Sequence, residues 1–161
     1  MLKESTVKWN RDRGLLEHFD PKLELKMLSE EAKEFYEAET LAHKLAEYAD
    51  FQFVLDGTKA KFGSQIIESH LDLDLRMQTY KDMMSWASTV QSDMRSCLLS
   101  ILDPYGDSLN GLIDMARGIV IRCNGLKGKK KDDEGKVVKN EHHLDPKDMI
   151  QDELDRLGSN V

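Results

Sequence analysis

The chain has 161 residues, a formal net charge of −7, 33% charged side chains and two cysteines. That length suits one domain with a core of its own, spanning 1–161, and the acidic balance argues against broad affinity for nucleic acid or an anionic membrane surface. No apolar run approaches the roughly 20 residues of a membrane span and the N-terminus lacks a signal-peptide core, so a cytoplasmic protein with no membrane partner is expected.

Leu, Lys and Glu are abundant while Thr and the aromatic residues are sparse, which favours an all-α fold, a helical bundle. Residues 3–17 read as a first helix with Val7, Trp9, Leu15 and Leu16 inward and Gly14 as a weak point. Asp20-Pro21 is a helix start, a capping side chain ahead of proline at the first helical position; Leu23, Met27, Leu28, Ala32 and Phe35 then recur at helical spacing. Thr40 can cap the next helix, which carries Leu41, Leu45, Tyr48, Ala49, Gln52 and Phe53 before Gly57 ends or loosens it. Gly63-Ser64 reads as a turn. From Ile66 to Leu102 there is neither Gly nor Pro, so this is one very long helix or two with a break near His70–Leu75.

Within that region Met77, Tyr80, Met83, Met84, Trp86, Ala87, Val90, Met94, Cys97 and Leu98 form a broad stripe whose methionine content reads as core or dimer interface. The alternation His70, Asp72, Asp74 reads as a helix break rather than a ligand set. Asp103-Pro104-Tyr105-Gly106 is a turn signature. Asp107 or Ser108 can cap a helix that runs to about Cys123 with Leu109, Leu112, Ile113, Ala116, Ile119 and Val120 inward, and Asn124-Gly125 terminates it. Composition then changes: 126–145 is a basic, irregular segment holding Lys127, Lys129, Lys130, Lys131, Lys136 and Lys139 around Asp132-Asp133-Glu134. Asp145-Pro146 opens a C-terminal helix over 146–157, closed by Gly158. Cys97 and Cys123 sit in apolar helical segments without zinc or redox spacing, as buried thiols in a reducing compartment do.

The chemistry concentrates in Glu31–Asp50. Glu31 and Glu34 are separated by twelve residues from Glu47 and Asp50, and acids three apart share a helical face at about 5–6 Å between Cβ atoms. In one straight helix Glu31 and Glu47 would stand about 24 Å apart and roughly 160° round the axis, out of reach of any shared ligand. If the chain turns back near Glu39-Thr40 as an αα-hairpin, four carboxylates converge. Like charges so placed repel and raise each other's pKa unless a cation neutralises them, and oxygen-only ligands favour Mg²⁺, with Mn²⁺ as a substitute, over zinc. Such pairs also arise on merely solvated helix faces, and a Lys-rich loop is commonly solvated surface. Facing the carboxylates, however, flexible lysines complement the charge of a polyphosphate.

The segments Trp9-Asn-Arg-Asp-Arg-Gly-Leu-Leu, Leu28-Ser-Glu-Glu-Ala-Lys-Glu34-Phe and Ala46-Glu-Tyr-Ala-Asp50-Phe resemble the MazG-like all-α nucleoside triphosphate pyrophosphohydrolases, whose superfamily includes the phosphoribosyl-ATP pyrophosphohydrolase and dimeric dUTPases. Gly57-Thr58, with Lys61 and Gly63 soon after, looks like the type in which Gly-Thr follows the second acidic helix, and Asn124-Gly-Leu-Lys127 followed by Asp133-Glu-Gly135-Lys136-Val-Val-Lys139 resembles the C-terminal pattern of the short phage-type members. The likeness covers roughly 5–63 and 117–148. It departs at Glu24 and Met27, where many relatives carry Gln and Lys, and at 64–108, which is longer than the usual connection.

The resemblance implies Mg²⁺-dependent hydrolysis of a nucleoside triphosphate between the α and β phosphates, giving the monophosphate and pyrophosphate, in a homodimer or homotetramer. It places Glu31, Glu34, Glu47 and Asp50 as metal ligands and catalytic carboxylates, and Asn124, Lys127, Lys136 and Lys139 at the nucleotide. Two alternatives stay open: a non-enzymatic acidic helical protein whose Met-rich stripe binds a partner helix, and the same hydrolase chemistry on a guanosine alarmone or dUTP.

Overall fold

Capping and proline signals become helix boundaries in the computed structural model, which describes residues 2–17, 19–68, 73–102, 108–140 and 144–159. The described residues form six helices: α1 Leu2–Asp12, α2 Pro21–Glu37, α3 Leu41–Glu68, α4 Leu73–Leu102, α5 Leu109–Gly125 and α6 Pro146–Ser159. The all-α expectation holds, and among the described residues no helix is long and apolar enough to cross a membrane.

Asp20 starts α2 as expected, its carboxylate accepting the amides of Lys22 and Leu23. Ala38 leaves the helix with φ −65° and ψ 136°, and Thr40 opens α3 by accepting the His43 amide on its hydroxyl at 3.1 Å. The loop at 38–40 is so short that α3 must run back along α2. Contacts along the pair confirm the antiparallel register: the Lys44 ammonium donates to the Phe35 carbonyl near the loop, and Lys61 reaches Glu24 at the far end.

Two expectations fail on α3. Gly57 neither ends nor loosens it, and Gly63-Ser64 is no turn; the helix continues through both to Glu68. Gly57 is there because α1 crosses close by: a Cβ at this position would stand 3.1 Å from the Asn10 side-chain nitrogen. It follows that Gly57-Thr58 lies inside the second acidic helix, not after it. The first helix is also shorter than 3–17. It stops at Asp12 because the amides of Arg13 and Leu15 both turn back to the Asn10 carbonyl and that of Gly14 to Arg11, with Gly14 at φ +65°, a conformation that side-chain-bearing residues avoid. Leu15 and Leu16 therefore lie beyond the helix. Its buried residues are the polar Thr6 and Asn10, whose side chains donate to the carbonyls of Leu2 and Thr6 one turn earlier and so enter the interior satisfied.

Helix α3 packs against each of the other five, and the core gathers round it. Leu28 and Phe35 from α2, Leu45, Ala49 and Phe51 from α3, Met94 and Leu98 from α4, Ala116 and Ile119 from α5, and Ile150 from α6 are all fully buried or nearly so. The methionine stripe of α4 splits accordingly. Met83, Ala87, Met94 and Leu98 enter the core, while Met84, Trp86, Val90 and Cys97 pack on its edge. Ser108 stands at the start of α5 without making a side-chain cap; Asp107, the 103–106 turn, His70 and Asp72 lie outside the described residues. Cys97 is half-buried, Cys123 is buried, and both are free thiols.

The basic segment is more ordered than its composition implies. A tight antiparallel turn links Lys131 to Val137, closed by the Asp132 amide on the Lys136 carbonyl at 2.8 Å and the Val138 amide on that of Lys130 at 3.0 Å. The Asp132 carboxylate accepts the amides of Glu134 and Lys136. Buried Val137 anchors the turn, with exposed ion pairs from Lys26 to Glu134 and from Lys136 to Glu30 of α2 beside it.

Candidate active site

The α2–α3 hairpin brings Glu31, Glu34 and Glu47 together: one carboxylate oxygen from each lies within 4.8 Å of the other two. Asp50 follows one turn after Glu47, turned toward α5, where the Asn124 side chain hydrogen-bonds it. All four acids line one cavity of about 750 Å³, and so do Asn124, Lys127, Lys136 and Lys139. The structure thus assembles in one place eight side chains spread over more than a hundred positions of sequence.

Their electrostatics are those of an uncompensated cluster. Burial pushes Glu31 up to about 8, with the charges of Asp50 and Glu34 adding to it and Lys136 opposing. Glu47 rises to about 9 by burial, then by Asp50, Glu31 and Glu34. Asp50 rises to about 6, again by burial, held down by Lys127 and by the Asn124 hydrogen bond. Lys127 is lowered by burial, against the attraction of Asp50. Burial is the first cause of the raised proton affinity of these carboxylates and their neighbours' negative charges add to it; a divalent cation favours the ionised forms directly. Glu31, Glu34 and Glu47 offer hard oxygens at a separation a single ion can bridge, so these three fit Mg²⁺ or Mn²⁺, while Asp50 lines the cavity outside that group.

Several supporting residues escape a reading of the sequence. His43, one turn before Glu47, brings Nε2 to 3.0 Å from its carboxylate and lines the cavity; the His-x-x-x-Glu spacing was the available signal. Helix α1 and the residue that follows it act as a clamp behind Asn124 and Lys127. The Trp9 indole donates to the Asn124 carbonyl at 2.8 Å, and the Arg13 guanidinium, stacked 4.2 Å over the Trp9 ring, donates to the carbonyls of Lys127 and Gly128. These bonds fix the exit of the chain from α5, and with it the side chains that face the acids. Nothing in Trp9-x-x-x-Arg13 announces partners more than a hundred residues away.

At the other end of the hairpin Glu24, 1% exposed, receives the Lys61 ammonium at 2.5 Å and the Thr58 hydroxyl at 2.7 Å on its two oxygens. All three residues belong to the segments quoted for the family resemblance or its departures, but their contact becomes visible only once α3 is known to pass unbroken through Gly57. Comparison with known protein families, with characterised proteins and with solved structures returns no match.

Proposed function

We propose that the chain is a Mg²⁺-dependent nucleoside triphosphate pyrophosphohydrolase of the MazG-like all-α type, cleaving between the α and β phosphates. The observation that carries this reading is the single cavity in which Glu31, Glu34, Glu47 and Asp50 face Lys127, Lys136 and Lys139: an anion-repelling wall that a cation converts to an anion-binding one, opposite a wall that is cationic already. A polyphosphate is the ligand class that needs both.

In this reading the four carboxylates hold Mg²⁺, which when bound screens phosphate charge and acidifies water. The chain's own side chains do the rest. Lys127, Lys136 and Lys139 neutralise the oxygens of the phosphate chain, and the charge that develops on the departing pyrophosphate falls among them. Asn124, clamped through its carbonyl by Trp9, keeps Asp50 oriented. A carboxylate of the quartet accepts the proton of the attacking water, and His43 holds Glu47 in place. The chain would form its homodimer or homotetramer through α4, where Leu99 and Ile101 are exposed. The free thiols suit a cytoplasmic setting.

The test is a panel of nucleoside triphosphates with Mg²⁺, scored for pyrophosphate against orthophosphate, on the wild type, Glu34→Gln and Asp50→Asn. Pyrophosphate release lost in both variants supports the assignment; equal activity in all three overturns the site, and orthophosphate as the product overturns the reaction.

A further inference from the structure

Among the described residues four lysines line the acidic cavity. Lys127, Lys136 and Lys139 follow α5, whereas Lys147 stands in the first turn of α6. Packing sets its place there. Ile150 is fully buried, Leu154 is half-buried against the core, and the Met149 sulfur meets that of Cys123, which lines the same cavity, at 3.5 Å. Residues 147, 150 and 154 fall on one helical face, so a lysine begins the stripe that apolar side chains continue. It does so where α6 passes from the core to the cavity wall.

Its ammonium is open to an anion. Asp145 accepts the Lys147 amide at 3.1 Å, and its other oxygen stands 3.5 Å from the Lys147 ammonium, with both side chains about half exposed. That is longer than a charge-assisted hydrogen bond, and an exposed pair of this kind contributes little, so a phosphate oxygen can replace it. Lys147 also marks one end of the cavity. With Glu37, the last residue of α2, and His43, in the first turn of α3, it lines both the acidic cavity and an open groove beside the hairpin loop. From His43 to Asp50, which Asn124 holds at the other end, α3 spans about 10 Å at 1.5 Å per residue.

We infer that Lys147 binds the terminal phosphate of the substrate and makes this cavity select triphosphates over diphosphates. The inference rests on the hydrolase reading. In that reading the acids between His43 and Asp50 hold the cation, and a phosphate chain laid across it meets Lys127, Lys136 and Lys139 on one side. Lys147 receives what extends beyond them. The loop end is walled by Glu37, His43 and Lys147, charged or polar side chains that suit the charged end of the chain rather than a base. A terminal phosphate carries one more ionised oxygen than an internal one, and an ammonium with donors to spare is its match. A diphosphate, cleaved at the same bond, ends one phosphate short of Lys147. The open groove beyond gives the departing pyrophosphate a way out that does not pass the monophosphate.

Formation of the monophosphate is measured with Mg²⁺ for the matched tri- and diphosphates of deoxyadenosine, deoxyguanosine, deoxycytidine and thymidine, on the wild type, Lys147→Met and Lys147→Arg. Binding of inorganic pyrophosphate with Mg²⁺ is measured by calorimetry on the same three proteins. The wild type should prefer triphosphates. Lys147→Met should lower the triphosphate-over-diphosphate ratio of kcat/KM by about tenfold or more, through KM, and weaken pyrophosphate binding by a like factor, while Lys147→Arg keeps both. A wild type that cleaves diphosphates as readily as triphosphates, or a ratio that Lys147→Met leaves unchanged, overturns the role of Lys147 and leaves the hydrolase reading standing. Absence of monophosphate from every triphosphate overturns both.

Discussion

The two ends of the α2–α3 hairpin bury acids in opposite ways. Near the loop, Glu31, Glu34 and Glu47 crowd together, Asp50 lines the same cavity, and the lysines that face them come from a distant segment. At the far end Glu24 is more deeply buried than any of the four, yet Lys61 and Thr58 occupy both its oxygens. Helix pair and residue type are alike; the difference is that Glu24 holds an ammonium in direct contact, whereas the acids near the loop are faced by lysines across a cavity. With the ammonium in contact, the acid is finished as a structural element. Near the loop the acids repel one another with lysines only across the cavity, and an external cation is a physical means of relieving that repulsion.

The largest effect that separates the two ends is catalytic. Glu47→Gln keeps the shape of the acidic end but removes a cation ligand, and kcat/KM for pyrophosphate release should fall by roughly 10²–10⁴. The matched change at the other end, Glu24→Gln combined with Lys61→Met, should cost far less turnover, because the pair stands outside the acidic cluster. A double variant as inactive as Glu47→Gln would erase the distinction between the two ends.

Stability should separate the single from the double change at the ion pair. Lys61→Met leaves Glu24 charged and unpaired in the interior, a loss of about 3–5 kcal/mol, whereas the neutral double variant, which removes both charges, should stay close to wild type. Chemical denaturation of the three proteins is the check. Equal loss in the single and double variants would mean that packing, not charge, sets the cost.

How much of this contrast could be read beforehand follows from the range of each interaction. The acidic pairs were legible because their signal is local: three-residue spacing, a cap at Thr40 and a proline at position 21 of the chain, which together define a hairpin and its convergent faces. The failures share one cause. Gly57 reads as a helix breaker because glycine is costly in an isolated helix, yet its reason for being there is Asn10, 47 positions away and 3.1 Å from its absent Cβ. The turn at Lys131–Val137 was hidden because the Asp132 carboxylate builds it by accepting amides, a use that composition counts as mere charge. The Trp9 and Arg13 clamp and the Glu24–Lys61 pair depend on which helices cross, which periodicity within one segment does not encode.

The pH dependence of stability separates the two ends without any assay of turnover. In the metal-free protein Glu31 and Glu47 keep protons up to about 8 and 9, against an ordinary value of 4.5. Between those limits the folded state binds more protons than the unfolded one, so their contribution is fully present below about 4.5 and is lost as pH rises through 8 and 9. Melts in chelator should therefore drop by roughly 5 °C or more between pH 6 and pH 9. Mg²⁺ should recover more of that loss at pH 9, where the carboxylates are ionised, than at pH 6. Glu47→Gln should flatten both the slope and the response to Mg²⁺, and the Glu24→Gln/Lys61→Met variant should leave both as they are. A melt that rises with pH in chelator would contradict the cluster's electrostatics.

The smallest effects come from the two helix starts, which lie at opposite ends of the same groove. Asp20 accepts the Lys22 amide at 3.0 Å at the start of α2, and Thr40 accepts the His43 amide at 3.1 Å at the start of α3. Either residue changed to Ala should cost about 1 kcal/mol, or roughly 2–4 °C in a chain of this size. Their consequences for the cation should differ. The turn that Thr40 caps carries His43, whose ring meets Glu47 at 3.0 Å, so Thr40→Ala should shift the Mg²⁺ titration midpoint upward as well as lowering the melt. The turn that Asp20 caps leads to Glu24 and the ion pair, so Asp20→Ala should lower the melt by the same amount and leave that midpoint where it is. Two substitutions of equal thermodynamic cost thus ask whether the start of α3 sets the geometry of the acidic end; equal shifts in Mg²⁺ midpoint would mean that general loosening of the bundle, and not the His43–Glu47 turn, governs cation binding.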